Sequence, residues 1–213
     1  HVRWATHGVP SQVNAHPHSS EEVSVVHNGI IENSSQLKTD LEKKGYKFKS
    51  QTDTEVITVL LTDFLKDFDL ITSINKTLKK LNGSFALGIL FKKYKNIVVG
   101  ARRGSPLAVG YGPEENYLGS DSYALKSMTN KITYLNDGDV CFLSSNKVDF
   151  YNSKNKKVNK EILTLSNDKQ IAKKGDYKDF MSKEINEQYI TTKTCIKEYV
   201  DHLRQGINIF NFP

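Results

Sequence analysis

The sequence predicts a layered α+β fold, and three patterns indicate it. Apolar residues recur with a helical period in the segment that follows Asp53, which is typical of an amphipathic helix. From Ser84 onward, short and almost continuous apolar runs alternate with turns, which is typical of buried strands. Further helical patterns lie before and after these runs. Because buried strands must be covered on both faces, we expect stacked sheets with helical layers.

The first half of the chain is predicted to place helices after a polar loop and one strand. In chain order we expect a loop over 7–20 and then a strand over Val23–His27 that ends at the turn pair Asn28-Gly29. A helix capped by Ser34 or Ser35 and ended by Gly45 follows, and after it a short strand over 46–48. A stronger helix then begins at a cap formed by Thr52 or Asp53, and a third carries Leu70, Ile71, Ile74, Leu78 and Leu81 inward.

The second half is predicted to be mainly antiparallel sheet. The expected strands are 85–91, 97–101, 107–111, 116–119, 132–135, 140–143 and 148–151. The fifth and sixth of these are joined by Asn136-Asp-Gly138, which indicates a hairpin. Two more polar helices, near 177–187 and 191–205, are expected to close the chain.

The composition excludes several classes of protein. Of the 213 residues, 38% are hydrophobic and 25% are charged, which argues against disorder and against a small disulfide-built domain. The longest apolar run, Phe85–Phe91, has seven residues. A membrane-spanning helix needs about 20, so no membrane partner is expected. Two cysteines without a CxxC spacing favour a reducing, cytoplasmic location.

The net charge of +6 raises the question of a nucleic-acid partner. Much of the excess is lysine interleaved with Asn and Ser over residues 153–160, without regularly spaced aromatic residues that would stack on bases. A solvated turn explains this segment better, and no nucleic-acid partner is expected.

Functional side chains concentrate in the first 55 residues. Five of the six histidines lie within the first 27 positions. His16 and His18 do not by themselves complete a metal ligand set, so neither a metal nor another cofactor is expected.

Single segments at the front of the chain suggest amino-acid chemistry but leave alternatives open. Arg3 can hold a carboxylate with its two-point fork. Asp53 can accept hydrogen bonds from an ammonium group, although helix capping explains it better from this segment alone. Asn28 and Gly29 can offer a side-chain amide and a backbone N–H to a developing oxyanion, or they can simply form a turn.

Four motifs follow one another in the order and approximate spacing of a known family. They are Arg3–Gly8 (RWATHG), Asn14–His18 (NAHPH), His27–Asn33 (HNGIIEN) and Ser50–Val56 (SQTDTEV). With them the chain resembles the class II glutamine amidotransferases. Within that class it resembles the glutaminase domain of the glutamine:fructose-6-phosphate aminotransferases (isomerizing). Segments 104–107, 119–122 and 181–188 resemble later landmarks. The resemblance covers residues 1 to about 190 and implies a domain over 1–188 and a linker over 189–213.

The resemblance implies a four-layer αββα sandwich of the N-terminal-nucleophile hydrolase type that lacks its first strand or strands. It also implies L-glutamine as substrate and a role for each matching residue. Arg3 holds the α-carboxylate with Thr6 and His7 beside it, Asp53 receives the α-ammonium, Asn28 and Gly29 form the oxyanion hole, Trp4 shields the site and gates ammonia passage, and His16 lies near the glutamine pocket. For Trp4, core packing is an equal alternative.

The resemblance further implies what surrounds this domain. Released ammonia would reach fructose-6-phosphate in a sugar-phosphate isomerase domain, and the complete enzyme can form homo-oligomers. The family uses a mature N-terminal cysteine as its nucleophile, whereas this chain begins with His1. Cys141 and Cys195 are interior positions in a predicted strand and helix, so both are expected to be inert. We therefore expect a chain that is truncated at both ends and inactive alone.

Two alternatives to this interpretation remain. The missing nucleophile favours a non-catalytic or decayed glutamine-binding fragment. The glutaminase domain of another class II enzyme, such as a phosphoribosyl-diphosphate amidotransferase, shares several motif elements, but the residues around Trp4 and His7 favour the aminotransferase.

Overall fold

The computed structural model describes residues 6–165, 174–201 and 206–207. The chain divides into one compact unit over residues 1–166 and a second over 167–213, and each is described by itself. The elements of the first unit are β1 (His18–Ser19), β2 (Val23–Ile31), α1 (Ser34–Lys43), α2 (Glu55–Phe64), α3 (Leu70–Lys80), β3 (Gly83–Phe91), β4 (Val98–Arg103), β5 (Ala108–Tyr111), β6 (Asn116–Gly119), α4 (Ser122–Leu125), β7 (Lys131–Tyr134), β8 (Val140–Leu143), β9 (Val148–Tyr151), β10 (Lys157–Val158) and β11 (Leu163–Thr164).

The strands in the described part of the first unit form two antiparallel sheets. The first has the order β1-β2-β3-β4-β8-β9-β10, and the second has the order β11-β7-β5-β6. Helices α1, α2 and α3 pack on the first sheet through one apolar core that includes Ile57, Ile74 and Leu87. A second core joins the two sheets, with Val109 from one and Cys141 from the other. The predicted α+β class is therefore confirmed.

A third, smaller core lies on the second sheet. Leu125 of α4 packs there with Ala108 and Ile132. Because successive residues of a strand point to opposite faces, Ala108 lies on the face opposite to Val109. The layers therefore run from α1–α3 through both sheets to α4.

Strand β2 continues through Asn28 and Gly29, so the turn predicted there is wrong. The pairing with β3 runs without interruption to Ile31, with Gly29 opposite Phe85. Gly29 has φ 141°, and a Cβ at this position would lie 2.8 Å from the Phe85 Cα. The glycine is thus needed for close approach of the two backbones.

Two predicted helix caps and one predicted strand are also wrong. Asn33, not Ser34 or Ser35, stands at the start of α1. Its side chain makes no capping bond because it donates to the Lys80 carbonyl and accepts from the Asn82 N–H. Residues 46–48 form no strand. The cap position of α2 is Thr54, neither Thr52 nor Asp53.

The segment Asn136-Asp-Gly138 does not close a hairpin, because β7 and β8 belong to different sheets. The Gly138 N–H donates to the Arg102 carbonyl, and the Arg102 N–H donates to the Asp139 carbonyl, so the segment is held by β4 instead. The predicted strands over 116–119, 140–143 and 148–151 are confirmed.

In the described residues of the second unit, one helix lies where two were predicted. Helix α5 runs without a break over Phe180–Tyr199, followed by β12 (Val200–Asp201), which pairs antiparallel with β13 (Gly206–Ile207). The hydroxyl of Thr191 donates to the carbonyls of Glu187 and Gln188, so this residue is accommodated inside the helix. Residues 202–205 of the second predicted helix lie outside the described residues.

Within the described ranges, no helix combines the length and the apolar character that crossing a lipid bilayer requires.

Candidate functional site

Six of the eight residues predicted to form the site lie in the described part of the chain. They are Thr6, His7, His16, Asn28, Gly29 and Asp53. Arg3 and Trp4 lie outside the described residues, so their roles stay predictions.

Asp53 is buried at the junction between β2 and α2, with 5% of its surface exposed. Its Oδ2 accepts a hydrogen bond of 2.8 Å from the Ile31 N–H. Its Oδ1 lies 3.8 Å from the Nδ1 of His7, and the same His7 nitrogen lies 3.3 Å from the Thr6 hydroxyl. The capping interpretation of Asp53 is therefore wrong, because the carboxylate is held by a strand 22 residues earlier in the chain. The structure brings Thr6, His7 and Asp53 together.

Every side chain of the segment 50–55 contacts a partner. Ser50 Oγ donates to Glu55 Oε2 at 2.7 Å, Gln51 Oε1 lies 3.3 Å from Asn14 Nδ2, Thr52 Oγ1 lies 3.0 Å from His18 Nε2, and Thr54 Oγ1 lies 3.0 Å from His27 Nδ1. Glu55 also accepts from the backbone N–H of Ser50 at 2.6 Å. Asp53 thus stands in a segment whose conformation is fixed on both sides.

Asn14 ties the preceding loop to this segment. Its Oδ1 accepts from the Gln51 N–H at 2.9 Å, and its Nδ2 donates to the Val9 carbonyl at 2.9 Å. Asn14 itself is almost fully buried. A buried amide with both ends satisfied fixes the loop that carries His7.

Thr54 connects two of the histidines. Its hydroxyl oxygen lies 3.0 Å from His27 Nδ1 and 3.2 Å from His16 Nε2. The rings of His16 and His27 have centroids 6.5 Å apart, and the His18 ring stands edge-on to His16 at 5.3 Å. His16 is therefore part of the group around Asp53.

Burial lowers the pKa of His27 below its ordinary value of 6.5, while the negative charge of Asp53 and a hydrogen bond with the Ser84 backbone act in the opposite direction. Desolvation is the largest of these effects because it disfavours the charged imidazolium. His27 is therefore neutral at neutral pH.

Asn28 and Gly29 lie on the same strand as Ile31 but present different surfaces. Residues 23, 25, 27 and 31 of β2 are buried, whereas the side chain of Asn28 is exposed. Because side chains alternate along a strand, Asn28 faces away from His27 and the helical layer. It precedes Ile31 by three residues, which is about 10 Å of strand.

The later landmark Gly104–Leu107 reaches the same end of the sheet. The Ser84 hydroxyl lies 3.0 Å from the Ser105 hydroxyl, and a Cβ on Gly104 would lie 2.8 Å from the Ser84 Cβ. A side chain on Gly29 would also collide with the carbonyl oxygen of Ser84. The structure thus connects this landmark to the Gly29 backbone.

Sequence reasoning did not place Asn14, His18, His27, Thr52 or Thr54 among the residues of the glutamine site. All five stand inside the motifs Asn14–His18, His27–Asn33 and Ser50–Val56, so the motifs themselves were the available signal. What could not be read from them is which hydroxyl meets which imidazole.

Cys141 is fully buried in the core between the sheets, and this burial raises the pKa of its thiol to about 12. A thiol with this pKa holds almost no thiolate at neutral pH, so it is not a nucleophile. Cys195 is a free and exposed thiol on α5.

Of the His, Cys, Asp and Glu side chains in the described ranges, no three or more are grouped so as to hold a metal ion. A cavity of about 1150 Å³ lies beside α2, where Val59, Phe68 and Tyr94 contribute apolar walls and Glu55 is the one lining residue from the segment 50–55. Neither Asn28 nor Asp53 lines it. The chemistry of the candidate site therefore belongs to the Asp53 cluster and not to this cavity.

A family model described as "Glutamine amidotransferase domain" matches residues 1–127, and the chain belongs to this family. Among curated proteins, the chain is 45% identical over 201 residues to a glutamine–fructose-6-phosphate aminotransferase (isomerizing) of Zymomonas mobilis. The matched region covers 94% of the chain and 33% of the relative. It is 47% identical over 190 residues to the protein of the same name in Clostridium acetobutylicum, which covers 88% of the chain and 31% of the relative. The chain thus spans about a third of the length of these relatives.

Solved structures agree with this membership. A glutamine phosphoribosylpyrophosphate amidotransferase of B. subtilis matches 72% of the chain and 34% of its own length, with a TM-score of 0.59 and 26% identity. A glutamine aminotransferase class-II domain protein of Silicibacter pomeroyi, at 14% identity and a TM-score of 0.51, shows the fold alone. The predicted resemblance and the predicted amidotransferase fold of the N-terminal-nucleophile hydrolase type are confirmed.

Proposed function

We propose that this chain is the glutamine-binding and glutaminase part of a glutamine:fructose-6-phosphate aminotransferase. In the complete enzyme it hydrolyses L-glutamine and supplies ammonia to fructose-6-phosphate in a sugar-phosphate isomerase domain. Support comes from family membership and from 41–47% identity to relatives with this name. The lower identity of 26% to the phosphoribosylpyrophosphate amidotransferase supports the aminotransferase over that alternative.

The observation that carries the proposal is the state of Asp53. One carboxylate oxygen is held by the Ile31 N–H, and the other is directed to the side on which Thr6 and His7 lie. A buried carboxylate with an oxygen directed to this side provides a strong, charge-assisted acceptor for an ammonium group. We assign Asp53 to the α-ammonium of glutamine, Arg3 to its α-carboxylate, and Trp4 to the cover of the site.

The oxyanion hole is assigned to Asn28 and Gly29. The Asn28 side chain is exposed and can reach a ligand, and the absence of a Cβ on Gly29 leaves its backbone close to β3. A side-chain amide and a backbone N–H are the donors that stabilise a developing oxyanion.

The state of the cysteines favours a second candidate, which is glutamine binding without hydrolysis. Cys141 is buried with its pKa raised to about 12, so this thiol does not provide the nucleophile that amide hydrolysis requires. For the chain 1–213 we therefore expect glutamine binding with no measurable ammonia release. We further propose a domain over 1–188, a linker over 189–213 and a cytoplasmic location, which the two free thiols support.

Titration calorimetry of the chain with L-glutamine tests the proposal. Asp53→Asn removes the charge that binds the ammonium, so we expect its affinity to fall by at least about tenfold. Asp69→Asn is the matched control, because Asp69 caps α3 away from this cluster. No heat of binding from the unsubstituted chain at millimolar glutamine would refute the proposed function.

A further inference from the structure

Thr54 stands at the cap position of α2, yet its side chain makes no capping hydrogen bond. A threonine at this position ordinarily accepts from an N–H of the first helical turn. Here the hydroxyl lies between His27 Nδ1 and His16 Nε2, and only 2% of the residue is exposed. A hydroxyl has one donor and two acceptor sites, so it can bond to both imidazoles.

These two contacts tie the start of α2 to two other elements. His27 belongs to β2, and His16 belongs to the loop before β1. The same strand β2 also supplies the Ile31 N–H that holds Asp53, and residues 27 and 31 face the same side of the sheet. Asp53 and Thr54 are adjacent in the chain, so any movement at Thr54 changes the direction of the Asp53 carboxylate.

We propose that Thr54 is a positioning residue for ammonium recognition, acting through its bridge between His16 and His27 to hold the Asp53 carboxylate in its binding direction. This inference rests on the proposed function of Asp53. Thr54 itself does not touch the substrate.

The charge state of the bridge agrees with this role. Burial keeps the pKa of His27 low, so the imidazole beside Asp53 is neutral and does not compensate the carboxylate. His27 therefore does not compete with an incoming ammonium group for the negative charge of Asp53.

The experiment compares Thr54→Val, which keeps the shape and removes the hydroxyl, with Thr54→Ser, which keeps the hydroxyl. Thr62→Val is the matched control, because Thr62 lies on the same helix and its hydroxyl also makes two hydrogen bonds, to the Thr58 carbonyl and to Ser20. Two quantities are measured on each chain: the hydrogen-exchange rate of the Ile31 amide by NMR, and the affinities for L-glutamine and for 4-carbamoylbutanoate, which is glutamine without its amino group.

We expect Thr54→Val to speed Ile31 amide exchange and to weaken L-glutamine binding by roughly tenfold, while 4-carbamoylbutanoate binding changes by less than about twofold. Thr54→Ser and Thr62→Val should behave like the unsubstituted chain. If Thr54→Val does not fold, Thr54→Cys gives the same comparison, because its S–H is only a weak donor.

Two outcomes would overturn the inference. One is an unchanged Ile31 exchange rate in Thr54→Val, and the other is an equal loss of affinity for both ligands, which a general loosening of the fold produces. If the unsubstituted chain does not bind L-glutamine, the proposed function fails. The Ile31 exchange rate then decides separately whether Thr54 positions Asp53.

Discussion

Replacing Gly29 by alanine tests the close approach of β2 and β3 beside the proposed oxyanion hole. The substitution has two costs. A φ of 141° is a conformation that L side chains rarely adopt, which costs about 1–3 kcal/mol. The new Cβ would also lie 2.8 Å from the Phe85 Cα and closer still to the Ser84 carbonyl oxygen, and such overpacking costs about 1–3 kcal/mol. We expect Gly29→Ala to lower the free energy of unfolding by the sum of both costs, about 2–6 kcal/mol.

Gly45→Ala is the control that separates the two costs. Gly45 also has a positive φ, 91°, but a Cβ there would meet nothing within 4 Å. This variant should therefore lose only the conformational part, about 1–3 kcal/mol. Urea unfolding followed by circular dichroism measures both free energies. If the two variants were equally destabilised, the backbone approach at Gly29 would contribute nothing, and the assignment of Gly29 to close contact would be wrong.

Three further predictions concern groups outside the glutamine contacts. A thiol reagent should modify Cys195 in the folded chain and Cys141 only on unfolding, because Cys141 is fully buried with a pKa of about 12; rapid modification of both would contradict this core placement. Arg103→Lys should lower the free energy of urea unfolding by about 1–2 kcal/mol, because the Arg103 fork donates to two carbonyls at the end of α3; an unchanged value would show that one ammonium suffices. The pKa of His27 is held below 6.5 in the folded state. As the pH falls through 6.5, the unfolded chain therefore takes up a proton that the folded chain does not, and the free energy of unfolding falls. His27→Gln should show a smaller decrease in the free energy of unfolding between pH 7.5 and pH 5.5.

The parts of the fold that follow from local pattern could be predicted from the sequence. Strands β8 and β9 match their predicted bounds because each is a short, largely apolar run between turns. The error at Asn136–Gly138 has a different origin. Turn residues show where the chain changes direction but not which strands pair, and β8 pairs with β4, about 40 residues earlier, while β7 pairs with β5.

In the candidate site, too, the sequence motifs predicted part of the arrangement and long-range contacts determined the rest. The motifs predicted that His7 and Asp53 belong to one site, and their side chains do lie 3.8 Å apart. The local pattern around Asp53 favoured a helix cap, because an aspartate before an apolar helical stripe ordinarily has that role. The contact that decides the question comes from Ile31, and no rule based on neighbouring residues contains that information.

The motif Ser50–Val56 is longer than the one carboxylate that is proposed to bind the substrate, because the neighbours of Asp53 are needed to hold it in place. Asp53 alone would be a mobile charge at a helix start, and binding would then include the entropic cost of ordering it. Its neighbours remove that freedom. Thr52 is held by His18, Thr54 is held by His16 and His27, and the main chain at Gln51 is held by Asn14. These partners come from the loop before β1, from β1 and from β2. The motifs Asn14–His18 and His27–Asn33 therefore support the same carboxylate. A substitution that removes one of these hydrogen bonds should therefore lower glutamine affinity even where the residue lies away from the ligand.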